Sequence, residues 1–320
     1  LSKPPFELKQ IRQLDLQMNF ENSDLLPVTE QENLNTTQLS SLPTREIVRL
    51  MNDEDSLIAA AVGLVVPQIV EAIEGIVSRL QQGGRLFYVG TGTSGRLGVL
   101  DAAECPPTFG VSPDLVQAVI AGGYEACYRA VEASEDEAEA GGQDLRARGF
   151  TQKDALVGIA ASGRTPYTVG AVQHARQVGG FTAAITCVPH SPITEVAEVS
   201  IVPVVGPEVI AGSTRLKAGT AQKMVLNMLS TATMTRLGYV TGNRMTNVHT
   251  RNAKLRARAI RILMSEAELD EAAAVAALEN SQGNLPAALL MARSGCSFEE
   301  AERALAAAGG VVSRAEEMLK

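Results

Sequence analysis

Five short apolar runs recur along the middle of the chain, at 85–90, 115–121, 155–161, 181–188 and 199–205. Each is rich in Val, Ile, Ala or Phe and is bounded by turn residues, and helical periodicity separates most of them. Runs that are apolar without alternation belong to strands buried on both faces. Strands of that kind alternating with helices predict a parallel sheet covered on both sides. The expected fold class is therefore α/β, a five-stranded parallel sheet flanked by helices. Residues 217–237 predict a long core helix behind that sheet.

Ahead of the first strand, Thr44 is placed to cap a helix over 45–51. A longer helical pattern follows over 55–82, stopped by Gly83-Gly84 and kinked or divided at Pro67. Residues 1–43 lack periodicity and carry Pro4-Pro5 with scattered Asn and Gln, as an arm would. From about residue 265 Glu and Ala dominate, and three or four short helices are punctuated at Gly283-Asn284, Gly295 and Gly309-Gly310. The chain so divides into an arm (1–43), a sheet domain (44–264) and a small C-terminal helical bundle (265–320).

Composition narrows the function. Acidic residues outnumber basic ones, 36 to 28 in 320, for a formal charge of −8. That argues against a nucleic-acid binder, which needs a basic face. An anionic ligand would have to be held by local donors against the overall field. Cys105, Cys127, Cys187 and Cys296 form no CxxC pair, and they show no metal-ligand spacing with His174, His190 or His249. The reading is a reduced, cytoplasmic protein without metal. The longest apolar stretch, 59–66, is too short to cross a bilayer, and no secretory signal is visible. No membrane partner is expected. Aromatic residues are 4% and Trp is absent, so stacking on sugar rings is not the expected mode of binding.

The first strand runs into Gly90-Thr91-Gly92-Thr93-Ser94-Gly95-Arg96, which opens a helix. The glycines match G-x-G-x-x-G, but a dinucleotide site also needs an acid after the second strand, and Ala121-Gly122-Gly123 stands there instead. The hydroxyls of Thr91, Thr93 and Ser94, with backbone N–H groups at a helix start, suit a compact phosphate monoester. A second loop, Ser162-Gly163-Arg164-Thr165-Pro166, ends the third strand, with Pro166 at a first helical position. A third, Gly212-Ser213-Thr214-Arg215-Leu216-Lys217, precedes the long helix. Each alone is compatible with plain helix capping. Three in one parallel-sheet pattern favour one shared ligand at a switch point. Arg96, Arg164, Arg215 and Lys217 are the candidate local cations.

Two carboxylates stand out. Asp101 and Glu104 lie three apart on the helix after the first loop, and Pro106-Pro107 is expected to end that helix. Glu104 then sits near a helix C-terminus, which disfavours its charge, and burial would act alike, leaving a group able to serve as general acid. Glu135 has the opposite setting. Ser134 to Glu137 matches a capping box, which would put Glu135 in a first helical turn, ionised and able to serve as a base. A carboxylate that merely decorates a helix start is the commoner case. No pairing supports a cysteine or histidine nucleophile.

The run GTGTSGRLGVLDAAECPPTFG, residues 90–110, resembles the N-acetylmuramic acid 6-phosphate etherases of the sugar isomerase (SIS) fold. Met51-Asn52-Asp53-Glu54-Asp55, Ile120-Ala121-Gly122-Gly123, Glu132-Ala133-Ser134-Glu135-Asp136, and the runs at 158–167 and 212–223 carry the likeness further. It covers roughly residue 29 to the end, and the first 28 residues look like an extension the family does not require. The resemblance implies a cytoplasmic homodimer acting in cell-wall amino-sugar recycling. Such a dimer cleaves the D-lactyl ether of N-acetylmuramic acid 6-phosphate to N-acetylglucosamine 6-phosphate and D-lactate, without cofactor. It places the family's two carboxylates on Glu104 and Glu135, and it makes the C-terminal helices similar to a ubiquitin-associated bundle. The expected phosphate-binding set is Thr91, Thr93, Ser94, Gly95, Ser162, Gly163, Arg164, Thr165, Ser213 and Lys217.

The chemistry follows from the substrate. In the open-chain aldehyde the C2 proton is alpha to a carbonyl and the lactyl oxygen on C3 is beta, so elimination is open to it. Glu135 is the expected base at C2. Glu104 is the expected acid at the lactyl oxygen and the activator of the water that adds at C3. Two alternatives remain at this point, a sugar-phosphate isomerase on the same fold and a non-catalytic sugar-phosphate regulator resembling the glucokinase regulatory protein.

Overall fold

A computed structural model describes residues 26–131, 135–247 and 253–320. Helix α1 (Thr44–Asp55) begins one residue earlier than the sequence suggests, with Pro43 and not Thr44 as its cap, and it runs four residues further than expected. The long pattern that follows is two helices, α2 (Ile58–Leu64) and α3 (Val66–Gln81). The break falls at Val65, so Pro67 occupies the first turn of α3, where its missing N–H costs no hydrogen bond.

The sheet strands are β1 (Leu86–Gly90), β2 (Val116–Ile120), β3 (Ala155–Ile159), β4 (Phe181–Ile185) and β5 (Val199–Ile201). They lie in the order β2-β1-β3-β4-β5, all parallel. The order turns back at β1, which places the C-terminal ends of β1 and β3 side by side, with Gly90 opposite Ile159. That is where a doubly wound sheet opens a crevice.

Alternate residues of each strand feed two cores. Leu86 and Tyr88 face the layer of α2, α3, α4 (Gly92–Phe109) and α8 (Lys217–Leu237). Phe87 and Val89 face α5 (Ala138–Ala147), α6 (Pro166–Val178) and α7 (Pro192–Val196). Helix α8 packs between α3 and α4, as a core helix should.

Helix α4 departs from expectation. It passes through Pro106 and Pro107 and stops at Gly110, which takes the left-handed conformation and donates its N–H to the Pro106 carbonyl. The local aversion to helix before proline is outweighed by burial of Cys105 and Phe109 in the core on the same face.

Beyond α8 the chain continues as α9 (Ala253–Glu266), α10 (Glu271–Asn280), α11 (Leu285–Ser294), α12 (Phe298–Ala307) and α13 (Val312–Met318). These share a second hydrophobic core, to which Ala259, Ile262 and Leu263 of α9 belong. The bundle therefore recruits a helix that starts a full three turns before residue 265. It rests on the sheet domain through its Gly309-Gly310 turn, whose carbonyls accept the Tyr239 hydroxyl at 3.1 Å and the Asn247 amide at 2.8 Å.

Candidate active site

The first loop owes its shape to close backbone approach. A Cβ on Gly95 would stand 2.7 Å from the Gly90 carbonyl oxygen, so neither the strand end nor the helix start tolerates a side chain there. Thr91 and Ser94 are buried and Thr93 is half-buried. The Ser94 hydroxyl donates to Gln222 Oε1 at 3.0 Å. The Thr93 methyl would lie 3.4 Å from a Cβ on Gly219, so the first turns of α8 form the floor beneath this loop.

The second loop turns at Gly163, where φ is +66° and a Cβ would stand 2.0 Å from Ser191 Oγ. Ser162 Oγ accepts the Arg164 N–H at 3.3 Å, Arg164 is exposed, and Thr165 precedes α6 without a side-chain cap bond.

Glu135 joins these two loops. Its carbonyl accepts the Tyr167 N–H at the start of α6, and its Oε1 lies 3.6 Å from where a Cβ on Gly92 would stand. It is half-buried. Its local setting is not the expected one. Helix α5 begins at Ala138 with Glu137 as its cap, so Glu135 precedes the helix, and Ser134 lies outside the described residues. The Glu135 backbone carbonyl is bonded to α6.

Glu104 lies elsewhere. It is exposed, and because α4 runs on to Phe109 it stands more than one turn from the helix end. Neither the burial nor the helix-end position expected from sequence is present within one subunit. Asp101, three residues earlier, turns inward. It accepts hydrogen bonds from Tyr88 at 2.9 Å, Asn227 at 2.8 Å and Ser230 at 3.1 Å. Burial pushes the Asp101 carboxyl up, against these donors. Asp101 is a core tie between β1, α4 and α8. Beside it, burial and the Asp101 and Glu104 charges push the Cys105 thiol up to about 12, which makes it a poor nucleophile.

The third loop leads into α8, whose Gly219 and Gln222 lie at the first loop, but two of the four candidate cations are committed to the fold. Arg96 donates to the Ala126 carbonyl at 2.8 Å and the Arg129 carbonyl at 2.7 Å, pinning the turn after β2. Lys217 Nζ is buried against Glu54 at 2.6 Å. Ser213 is half-buried, and Arg215 is exposed. Among the described residues no cluster of His, Cys, Asp or Glu could hold a metal ion. No single helix among them is long and apolar enough to cross a membrane.

Sequence reasoning missed Gln222, Glu208 and the role of Glu54. Gln222 and Glu54 lie within motifs that carry the resemblance, yet no local pattern says which distant partner a polar residue will meet.

The glucokinase regulatory protein N-terminal SIS domain matches residues 68–176, and the SIS domain matches residues 139–232. N-acetylmuramic acid 6-phosphate etherase 2 of Vibrio cholerae serotype O1 is 50% identical over 290 residues, 91% of this chain and 94% of that protein. The chain belongs to the N-acetylmuramic acid 6-phosphate etherase family. A further family member, from Aeromonas hydrophila, is 48% identical over 90% of this chain and 96% of its own length. Among solved structures, phosphoheptose isomerase from Neisseria gonorrhoeae is 19% identical, with a TM-score of 0.46 over 60% of this chain and 100% of that one. The two hydroxyl-rich loops and Glu135 thus lie within an etherase-family chain, at the crevice of its sheet.

Proposed function

We propose that this chain releases D-lactate from N-acetylmuramic acid 6-phosphate, leaving N-acetylglucosamine 6-phosphate, as a carbon–oxygen lyase in amino-sugar recycling. The observation that carries the site assignment is Glu135, held by its backbone at the second loop with its carboxylate at the first. The phosphate is held by Ser162, Gly163, Arg164 and Thr165 together with the hydroxyls of Thr91, Thr93 and Ser94. A remote anchor of this kind lets binding energy position the reacting carbons.

Glu135 takes the C2 proton of the open-chain sugar. The C3–O bond breaks as C2=C3 forms, and Glu104 gives its proton to the departing lactyl oxygen. Water then adds, oxygen to C3 with Glu104 as base, and a proton returns to C2. Each positioned acid or base contributes about 100- to 10,000-fold.

Glu104 stands twelve residues beyond Gly92 on α4, ~18 Å along the axis at 1.5 Å per residue. One sugar does not span that distance from Glu135. We therefore assign the acid to a second subunit, so that each site of a homodimer pairs its own Glu135 with the other copy's Glu104. Exposed apolar side chains on the same helical layer, Leu64, Val66, Val70, Leu100 and Met228, support a partner there, and Leu100 is one turn from Glu104. The four free cysteines fit a reducing cytoplasm. The domain division we favour starts the bundle at Ala253, with the sheet domain before it.

Isotope exchange tests the roles. In deuterated water, Glu104→Gln is expected to exchange the C2 hydrogen yet release little lactate, whereas Glu135→Gln loses both. The reverse pattern would overturn the labels.

A further inference from the structure

A buried ion pair lies beneath the site, and the reaction above makes no use of it. Lys217 and Glu54 are 2% and 9% exposed, their charged atoms 2.6 Å apart, on residues 163 positions distant in sequence. The same carboxylate accepts Asn33 Nδ2–H at 2.8 Å and Asn35 Nδ2–H at 3.1 Å. Asn33 Nδ2 lies 3.2 Å from the Pro207 carbonyl as well, and the Thr29 carbonyl accepts the Gly212 N–H at 3.1 Å. From the other side Glu208, itself buried, accepts the N–H groups of Lys217 and Ala218, each at 2.9 Å.

These contacts lead on into the site. Two residues past Lys217, a Cβ on Gly219 would stand 3.4 Å from the Thr93 methyl, and Gln222 accepts the Ser94 hydroxyl. The loop so fastened carries Ser213. The segment from Thr29 to Thr36, which reads from sequence as part of an irregular arm, is thus bound to the base of the candidate phosphate site. A pair this deep gives up much of its attraction to desolvation, so its stabilising value is small compared with the geometry it fixes. With Glu208 on the α8 N-terminus and Glu54 on Lys217, two of the positive groups that this region would offer to phosphate are already answered by carboxylates.

We propose that Asn33, Glu54 and Lys217 form a positioning knot by which residues 29–36 strap down the 207–217 loop and the first turns of α8, and so set the Thr93, Ser94 and Ser213 hydroxyls for the sugar phosphate. Lys217 acts through Glu54 and does not touch the phosphate. The proposal rests on the reading of these loops as the sugar-phosphate site.

The test is a double-mutant cycle on the full chain with Glu54→Gln, Lys217→Met and both together. Its readouts are KM and kcat for the muramic acid 6-phosphate, calorimetric binding of N-acetylglucosamine 6-phosphate, and melting temperature. Each single change leaves a buried group without its partner and is expected to raise KM and weaken binding about tenfold or more, while the double variant regains most of the loss. Asn33→Ala removes no charge and is expected to raise KM roughly fivefold with kcat little changed. A double variant that binds as poorly as Lys217→Met, with its melting temperature restored, would make Lys217 a direct phosphate ligand and overturn the proposal. Asn33→Ala with a lower melting temperature and unaltered KM and binding would overturn it too, leaving a merely structural knot. Wild-type protein that binds the phosphosugar but releases no lactate would sink the functional reading alone, and the binding comparison would still decide the strap.

Discussion

The Glu135 carbonyl accepts the Tyr167 N–H at 3.1 Å, so the residue whose carboxylate reaches the first loop is fastened by its backbone to the second. Backbone anchoring separates where the residue sits from how far its side chain reaches. Glu135→Asp keeps the anchor and withdraws the carboxylate by one methylene. A misplacement of that size is expected to lower kcat about 100-fold while KM for the sugar phosphate stays within about twofold, as steady-state kinetics will show.

Gly163 turns the second loop at a φ of +66° with Ser191 Oγ directly behind it. Gly163→Ala combines a strained backbone with a collision. It is expected to cost about 1–3 kcal/mol in denaturant unfolding and to raise KM more than it lowers kcat, because Ser162 and Thr165 flank the displaced turn.

Acid stability follows from two buried carboxylates. Burial works against the charge of Asp154, but the Arg85 guanidinium and the Thr151 and Arg85 N–H groups outweigh it, holding its carboxyl below the ordinary 3.8. Burial likewise opposes the charge of Glu54, and the Lys217, Asn35 and Asn33 contacts hold it below 4.5. Below those ordinary values the unfolded chain takes up protons that the native state still refuses, so stability is lost as pH falls through the lower native values. Asp101, pushed up by burial, acts in the opposite sense, its share present at low pH and lost as pH rises through its native value. Asp154→Asn is expected to cost about 3 kcal/mol at neutral pH and to flatten the acid limb of a melting-temperature profile. An unchanged acid limb would contradict this assignment.

Much of the fold was legible because the signals were local. Uninterrupted apolar runs between turn residues gave the strands, and the glycines at 90 and 95 marked a real close approach. What failed was also local reasoning. Pro106-Pro107 reads as a helix end, but Cys105 and Phe109 have a core to reach, and the helix continues. Ser134 to Glu137 reads as a helix start with Glu135 in the first turn, but α5 begins at Ala138 and the Glu135 carbonyl accepts from Tyr167 of α6. The pairing of Lys217 with Glu54 was not legible, because no sequence pattern announces a partner 163 positions away. In the candidate site the residue types were readable, and their pairing across the chain was not.

The assignment of Glu104 and Glu135 to separate subunits makes a prediction that mixing can test. Glu104→Gln and Glu135→Gln proteins, each inactive alone, are unfolded or dissociated together and allowed to reassociate in equal amounts. Half of the dimers are then mixed, and each of those holds one site with both carboxylates intact. Lactate release should return to about a quarter of the wild-type rate. If the mixture, shown to contain mixed dimers, stays as inactive as its parents, the two carboxylates do not meet across a subunit boundary and the account fails.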